Sequence, residues 1–445
     1  MTTFRTILLV LTAAFFSGLP AIAQEMSGPI KVEIRQDENG YQLYRGGKPY
    51  YVNGVGGQVF LDEAVECGAN SIRTWGYADA AIVLDEAHEK GLSVLFGLWV
   101  GQERQGFDYS DSKAVRAQFE QFRAVVRKYK DHPAVLMWGI GNENDLMYSD
   151  YRVWDAINDI AKMIHEEDPN HPTMTVTAGI DVAEVQLIKD RAPHIDIYGI
   201  NTYGGLIGID KEIRSYGWEG PYMITEWGPN GHWEVPTTEW GAPIEQSSSV
   251  KADYYRKRYE LGIAADRERC IGSYVFLWGN KQETTPTWYG VFLPGGEETE
   301  VIDNLQQMWS GNYPENRAPH ISSLKIDGKE AIENVYLRPG KTYSIVADIT
   351  DPEKDPLLYN WQILESEFGL TGSGGDAEKT PDPVKIRLDK DTPHQLDAAT
   401  LTVTVEDNGT LTFKAPSKVG AYRFFIYAYD GNGNAAAANI PFYVK

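Results

Sequence analysis

The chain has 445 residues, of which 42% are hydrophobic and 12% aromatic, so it can bury a large core and is expected to fold as one big domain with a smaller one. This composition excludes a disordered or collagen-like chain. The formal net charge is −22 and no run of Lys and Arg occurs, so a nucleic-acid partner is not expected. Two cysteines exclude a disulfide scaffold and a Cys-rich metal site.

The N-terminus has the pattern of an export signal. Arg5 is followed by the apolar run Ile7 to Phe16 and then by Ala21-Ile22-Ala23. The run is well short of the roughly 20 residues that a membrane span needs, although a short anchor is the alternative. The pattern predicts a signal peptide over residues 1–23, an exported protein that is periplasmic or extracellular, and no membrane span.

From about residue 50 to residue 307, short apolar runs alternate with longer amphipathic stretches, the pattern of a parallel α/β sheet. The predicted strands are Tyr51–Val55, Ser71–Trp75, Leu92–Leu98, Val135–Ile140, Met174–Thr177, Ile195–Asn201, Tyr222–Glu226 and Gly272–Leu277. The clearest predicted helices are Ala80–Lys90, Lys113–Lys130, Asp150–Glu167 and Ser248–Asp266. Eight such units in about 260 residues predict a (β/α)8 TIM barrel over residues 24–310. An open doubly wound sheet is the alternative, but no Gly-rich phosphate loop follows the first strand.

After Trp309 the pattern changes. Residues 311–319 are polar and contain two prolines, which indicates a linker. Residues 320–445 show alternating runs between Asp/Gly/Pro turns, which predict a small all-β immunoglobulin-like sandwich. The turns Asp351–Asp355 and Asp430–Asn434 either bind calcium through carboxylates or are ordinary solvated turns.

Two predicted barrel strands lead to a glutamate. The fourth runs into Gly141-Asn142-Glu143-Asn144, and the seventh ends in Thr225-Glu226-Trp227-Gly228. Active sites of (β/α)8 barrels lie at the C-terminal ends of the strands, so both carboxylates are expected at one cleft, with a sugar between them. A pair about 5 Å apart would support glycoside cleavage with retention of configuration.

These two motifs resemble the retaining glycoside hydrolases of clan A, over roughly residues 50 to 307. The resemblance implies that Glu143 is the acid/base and Glu226 the nucleophile. It implies substrate-binding or supporting roles for four further residues: Arg73 near the nucleophile, Asn142 on the sugar 2-hydroxyl, Tyr203 hydrogen-bonded to the nucleophile, and Trp278 as the platform under the sugar at subsite −1. A structural role in ion pairs or packing is the alternative for Arg73 and Tyr203.

Other aromatic residues follow the predicted strand ends, and Trp233 and Trp288 are expected to stack on sugar rings. The long segment from Pro229 to Gln246 is expected to form one wall of the cleft. Lys281, Gln282 and Glu283 either bind substrate hydroxyls or are solvated loop residues.

No His-x-x-x-His pair or other metal spacing occurs among the histidines, and no Gly-x-Ser-x-Gly motif, so no catalytic metal, no cofactor and no serine esterase chemistry are expected. Cys67 and Cys270 are each predicted near the bottom of the barrel. They form either one disulfide or, the simpler expectation, two buried free thiols.

The acidic balance and aromatic cleft favour a neutral polysaccharide over a uronic polymer. The order of barrel and sandwich resembles the bacterial β-1,3-glucanases of glycoside hydrolase family 158. The sequence therefore predicts a monomeric endo-β-1,3-glucanase acting on a neutral β-glucan. A β-glucanosyltransferase with the same residues and a non-catalytic glycan-binding protein on a degenerate barrel are the alternatives. The sandwich is expected to be a spacer packed on the barrel or an adhesive module that uses Tyr359 or Trp361.

Overall fold

The structure is a computed structural model that describes residues 28–365, 403–405 and 411–445. The predicted signal peptide, residues 1–23, lies outside the described residues. Within the described part of the chain, no helix is long and apolar enough to cross a membrane.

Eight parallel strands close into a barrel in chain order, which confirms the predicted (β/α)8 architecture. They are β4 (Val52–Gly56), β5 (Ser71–Arg73), β6 (Ser93–Leu98), β7 (Val135–Ile140), β8 (Thr173–Ala178), β9 (Ile197–Asn201), β10 (Tyr222–Trp227) and β11 (Cys270–Val275). The first and last barrel strands pair directly, with Val52 opposite Gly272. Nearly every residue of these strands is buried, because each strand faces the barrel interior on one side and the helices on the other.

One helix follows each barrel strand. The helices are α1 (Leu61–Cys67), α2 (Ala80–Glu89), α3 (Ser112–Tyr129), α4 (Arg152–Glu167), α5 (Val182–Arg191), α6 (Ile209–Ser215), α7 (Ser248–Arg258) and α8 (Glu300–Ser310). Local sequence fixes several starts: the Asp111 carboxylate accepts hydrogen bonds from the backbone amides of Lys113 and Ala114 at the start of α3. The predicted long helix after β10 ends at Arg258 and continues as one π-helical turn, Tyr259–Ile263.

A three-stranded antiparallel sheet, which the sequence analysis did not predict, precedes the barrel. It consists of β1 (Val32–Asp37), β2 (Gly40–Arg45) and β3 (Lys48–Tyr50). Val32 and Leu43 pack against interior barrel side chains such as Met137. The amide of Val32 donates to the carbonyl of Asn170, just before β8, at 2.8 Å. The sheet therefore covers the N-terminal end of the barrel, opposite the end where the two glutamates lie.

The C-terminal region is a β-sandwich of two four-stranded sheets. Its strands are β12 (His320–Ile326), β13 (Val335–Leu337), β14 (Thr342–Thr350), β15 (Leu358–Glu365), β16 (Val403–Val405), β17 (Leu411–Lys414), β18 (Gly420–Tyr429) and β19 (Ala435–Val444). One sheet has the order β12-β14-β17-β16 and the other β13-β19-β18-β15. Their facing side chains, including Phe413, Phe424 and Phe442, form a core separate from that of the barrel.

The sandwich packs on the barrel beside α7. Ser248 and Ser249, in the first turn of this helix, accept hydrogen bonds from the amides of Ala437 and Ile321 at 3.0 and 2.9 Å. Arg317, in the connecting segment, pairs with Glu353 at 2.9 Å. The sandwich is thus packed on the barrel, as the spacer alternative required.

The structure brings together the two acidic turns noted in the sequence. One carboxylate oxygen from each of Asp351, Asp355 and Asp430 lies within 4.8 Å of the others. Side-chain amides of Asn316 and Asn432 donate to Asp355, at 2.6 and 2.8 Å. The cluster thereby ties the linker to both turns. Elsewhere in the fold, Cys67 and Cys270 are buried free thiols.

Candidate active site

Three donors converge on the Glu226 carboxylate, at the end of β10. Oε1 accepts hydrogen bonds from the Arg73 guanidinium at 3.0 Å and from the indole of Trp75 at 2.8 Å. Oε2 accepts one from the Tyr203 hydroxyl at 3.0 Å. Burial, then the Glu226 charge, raises the pKa of Tyr203 well above its usual value, so this phenol keeps its proton. The side chain of Glu226 is 7% exposed and is held as an ion-paired acceptor.

Arg73 lies at the end of β5 and connects three strand ends. Besides Glu226, it donates to the carbonyl of Thr225 at 2.7 Å and to the side-chain oxygens of Asn142 and Asn201 at 2.7 and 3.2 Å. A planar guanidinium with five donors suits this role, and Lys could not replace its geometry. This network fixes the relative positions of the strand ends that lead to the two glutamates.

Glu143 lies three residues beyond β7, with a different environment. Its Oε1 accepts a hydrogen bond from Nδ2 of Asn201 at 2.8 Å. Burial, and then the Glu226 carboxylate, raises the pKa of Glu143 to about 8, while the Asn201 hydrogen bond opposes this shift. Glu143 therefore holds a proton at neutral pH. One carboxyl group is ion-paired with an arginine and the other is protonated, which is the division of roles that acid/base and nucleophile require.

The backbone leading to Glu143 is unusual. Gly141 has φ of 79°, and a Cβ there would lie 2.3 Å from Oδ1 of Asn144. Glu143 itself has φ of 51°, a left-handed conformation that costs a non-glycine residue about 1 kcal/mol or more. Hydrogen bonds hold this turn, including one from the amide of Asn142 to Oδ1 of Asn144 and one from the Glu143 amide to the carbonyl of Val176. The Gly-Asn-Glu-Asn motif thus owes its composition to a tight turn that aims the carboxyl group.

The two glutamates face a common pocket of about 240 Å³. Its lining consists of Trp75, Trp99, Asn142, Glu143, Tyr203, Glu226, Trp233, Phe276, Leu277, Lys281, Glu283 and Tyr289. Six of these side chains are aromatic, so the pocket combines flat apolar faces with a central pair of carboxyl groups. Such a lining fits a sugar, whose ring faces are apolar and whose edge carries hydroxyl groups.

Trp278, the predicted platform, and Trp288, which was expected to stack on a sugar ring, both lie outside this lining, and the structure corrects these two assignments. Trp278 is 1% exposed, packs edge-on against Phe292 and donates its indole N–H to the carbonyl of Phe60 at 3.0 Å. Trp288 is equally buried and lines a separate cavity of about 10 Å³ between barrel and sandwich. Strand β11 ends at Val275, and the aromatic residue next to it, Phe276, lines the pocket instead.

Trp233 is where the sequence analysis expected it. Its indole is 57% exposed, lines the pocket and meets the Tyr203 ring edge-on at 6.0 Å. Its loop, residues 228–247, is held over the barrel because the Glu234 carboxylate accepts hydrogen bonds from the amides of Gly204 and Gly231. This loop contributes to one wall of the pocket.

Polar residues after β11 form part of the pocket wall. Lys281 pairs with Glu283 at 2.7 Å, and both line the pocket. Glu283 is buried, so it is not the solvated loop residue that the alternative interpretation expected. Among the described lining residues, Lys281 is the one basic side chain, and its charge is offset by Glu283.

Three residues of the site were not singled out in the sequence analysis: Asn201, Trp75 as a partner of Glu226, and Phe276. The sequence does contain a feature that could have identified Asn201. It is a polar residue at the last position of a buried apolar strand, two residues before Tyr203. Nothing in the sequence distinguished Trp75 from the other aromatic residues at strand ends.

Residues 64–230 match the sequence profile described as "Glycosyl hydrolases family 2, TIM barrel domain". The matched segment runs from α1 to just beyond β10 and includes both glutamates. The match agrees with the enzyme class expected from the sequence, an O-glycosyl hydrolase with a (β/α)8 barrel. The order of domains had suggested family 158, whereas the matched profile is that of family 2.

Similarity to curated proteins is distant. A β-glucuronidase of Chlorocebus aethiops is 24% identical over 264 residues, which cover 50% of this chain and 38% of the relative. A putative mannan endo-1,4-β-mannosidase of Arabidopsis thaliana is 26% identical over 200 residues, 30% of this chain and 49% of the relative. The chain thus spans less than half the length of these relatives.

Solved structures share the fold. A β-glucuronidase of Dictyoglomus thermophilum superposes with a TM-score of 0.50 and 18% identity, covering 64% of this chain and 55% of that one. β-Glucuronidase 2 of Bacteroides uniformis superposes with a TM-score of 0.51 and 15% identity. The superposition covers 93% of this chain and 48% of that one. At these identities the likeness concerns the fold alone.

Proposed function

We propose that this protein is an exported, monomeric retaining β-glycosidase that cleaves a neutral β-glucan, with endo-β-1,3-glucanase activity as the leading assignment. The observation that carries the proposal is the contrast between the two pocket carboxyl groups. Glu226 is ion-paired to Arg73, whereas burial and the neighbouring carboxylate keep the proton on Glu143.

The chemistry is a double displacement. A Glu226 oxygen attacks the anomeric carbon as the bond to the leaving oxygen breaks, and Glu143 gives that oxygen its proton. In the second step the Glu143 carboxylate removes a proton from water, whose oxygen displaces Glu226 from the anomeric carbon. Transfer to a second sugar instead of water would make the same residues a glucanosyltransferase.

Surrounding side chains support these steps. Arg73, Trp75 and Tyr203 hold the nucleophile by three hydrogen bonds. Oδ1 of Asn142 accepts hydrogen bonds from Arg73 and Asn201, so its amide nitrogen is the group that would bind the sugar 2-hydroxyl. Trp233 offers an exposed ring for stacking at the pocket edge.

A neutral substrate is favoured by the charges in the pocket. A uronic acid carboxylate needs an uncompensated basic group, and the Lys281 ammonium is already paired with Glu283. The relatives above are named for different sugars, so they support the glycosidase class and leave the sugar open.

The test is a product screen of the purified protein. Laminarin, mixed-linkage glucan, cellulose, mannan, xylan, galactan and an aryl β-glucuronide are compared for wild type, Glu143→Gln and Glu226→Gln, with the exposed Asp108→Asn as the matched control. We expect short oligosaccharides from laminarin, lost by about 10³-fold or more in the two glutamine variants and kept in the control. Turnover of the glucuronide alone would contradict a neutral substrate and would indicate a glycoside of a uronic acid. Tight glycan binding without products would favour the glycan-binding alternative.

A further inference from the structure

A buried carboxylate lies where the sandwich meets the barrel, away from the two glutamates of the pocket. Glu245, between β10 and α7, has a side chain that is 1% exposed. Its Oε1 accepts hydrogen bonds from Lys251 at 2.6 Å and Thr287 at 2.8 Å. Its Oε2 accepts from Thr285 at 2.6 Å and from Asn439 of β19 at 2.5 Å. Four donors therefore satisfy one carboxylate.

The sandwich contributes a second basic group. Arg423, on β18, is buried and donates to Oδ1 of Asn439 at 2.6 Å and to the carbonyl of Pro243 at 2.7 Å. Glu245, Lys251, Thr285, Arg423 and Asn439 are named here the Glu245 cluster. Each member is buried, so loss of one leaves its partners without hydrogen bonds and without water.

Two segments of the pocket wall are attached to this cluster. Pro243 and Glu245 end the loop that carries Trp233. Thr285 pairs with Glu283 through two backbone hydrogen bonds, at 3.1 and 2.6 Å, and Glu283 lines the pocket. The same loop has further contacts with the sandwich, since the Tyr336 hydroxyl donates to Glu239 at 2.7 Å.

We propose that the β-sandwich is a positioning element of the active site, which holds the loops 228–247 and 280–290 in place through the Glu245 cluster. The members are positioning residues, since none of them lines the pocket. The positioning of the loops stands on the contacts above, whereas its effect on turnover rests on the proposed function.

The test compares three variants of the full chain by hydrogen–deuterium exchange and kinetics. Asn439→Ala removes the hydrogen bond from the sandwich to Glu245, and Thr285→Val removes the hydrogen bond from the 280–290 loop to Glu245. Tyr422→Phe is the matched control, because it deletes one hydrogen bond in the sandwich core, from the Tyr422 hydroxyl to the carbonyl of Lys418.

We expect amides of the two loops to exchange about tenfold faster in Asn439→Ala and Thr285→Val, with barrel strands and the control unchanged. KM is expected to rise several-fold while kcat changes less, because Arg73 and Asn201 still hold the two glutamates. Loop exchange equal to wild type in Asn439→Ala would overturn the proposal, whatever Thr285→Val shows. If Asn439→Ala does not fold, Arg423→Met decides in its place, because it removes the hydrogen bond from the sandwich to the carbonyl of Pro243. Absence of any glycoside turnover in wild type would refute the proposed function, while the exchange data would still decide the positioning.

Discussion

Glu143 and Glu226 differ in the partners of their carboxyl groups, and this difference has measurable consequences. Arg73, Trp75 and Tyr203 surround Glu226, while one amide, from Asn201, contacts Glu143. The charged neighbours of Glu143 are the acidic Glu226 and Asp145 and the basic Arg104 and Arg73. Burial, followed by the Glu226 charge, favours the protonated form of Glu143.

The pH dependence of turnover is the first prediction. Because the pKa of Glu143 is raised to about 8, the proton is present below that pH and lost above it. We expect kcat/KM on a natural glucan to fall on an alkaline limb near pH 8. An aryl glycoside with a good leaving group needs no proton from Glu143 in the first step, the cleavage of its glycosidic bond. The rate of that step should therefore fall only weakly above pH 8. A limb below pH 6 on the glucan would contradict the assignment of Glu143.

Asn201 provides the second prediction. Its hydrogen bond stabilises the ionised form of Glu143, so Asn201→Ala should move the alkaline limb to higher pH and lower kcat about 10- to 100-fold. Thr225→Val is the matched control, because Thr225 donates to Oδ1 of Asn201 at 2.9 Å and does not contact Glu143. A limb that moves equally in both variants would mean that Asn201 acts only through packing.

The third prediction separates the two tryptophans. Trp233→Ala should raise KM about tenfold with little change in stability, since the ring is 57% exposed. Trp278→Ala should lower the free energy of unfolding by about 3–5 kcal/mol, because the ring is buried. Kinetics and denaturant unfolding of both variants provide the measurement. An unchanged KM for Trp233→Ala would exclude stacking by this ring.

At the level of elements, the barrel strands were predictable because most of them are short segments rich in apolar residues that lie between amphipathic helices. The end of the eighth strand was not. The run Gly272–Leu277 suggested that Trp278 follows the strand directly, but the ladder ends at Val275 and the chain then turns. A shift of two residues decides which aromatic ring lines the pocket. The hydrophobicity of the sequence does not reveal where the strand ends.

The N-terminal sheet was missed because β1 and β3 are largely exposed and therefore lack an apolar run. The sheet contributes to the core through Leu43, which is 0% exposed beneath the barrel interior.

The fourth prediction is that Leu43→Ala lowers the free energy of unfolding by about 2–5 kcal/mol, because a cavity opens under the barrel. Below the melting temperature, kcat should stay near the wild-type value, since Leu43 lies at the opposite end from the glutamates. Stability equal to wild type in denaturant unfolding would show that the sheet is not part of the core.

The whole molecule is joined by polar contacts that are buried in the junction of its two parts. The Glu245 cluster and the hydrogen bonds of Ser248 and Ser249 connect barrel and sandwich. The fifth prediction is a single calorimetric transition for wild type, because unfolding of either part breaks the buried hydrogen bonds that join the two. Arg423→Met should broaden this transition or split it into two. Two transitions already in wild type would show that the junction is weak.

The class of fold and the pair of glutamates at the pocket could be predicted from the sequence, because apolar strands, helix periodicity and a glutamate at or just after the end of two strands are local patterns. Tertiary structure alone decided which partners each glutamate has, and hence which one keeps its proton. It also decided that Trp278 is core while Phe276 is pocket, and that Glu245 meets Asn439, 194 residues away in the chain. Contacts between distant segments set local dielectric and charge, and no local pattern records them.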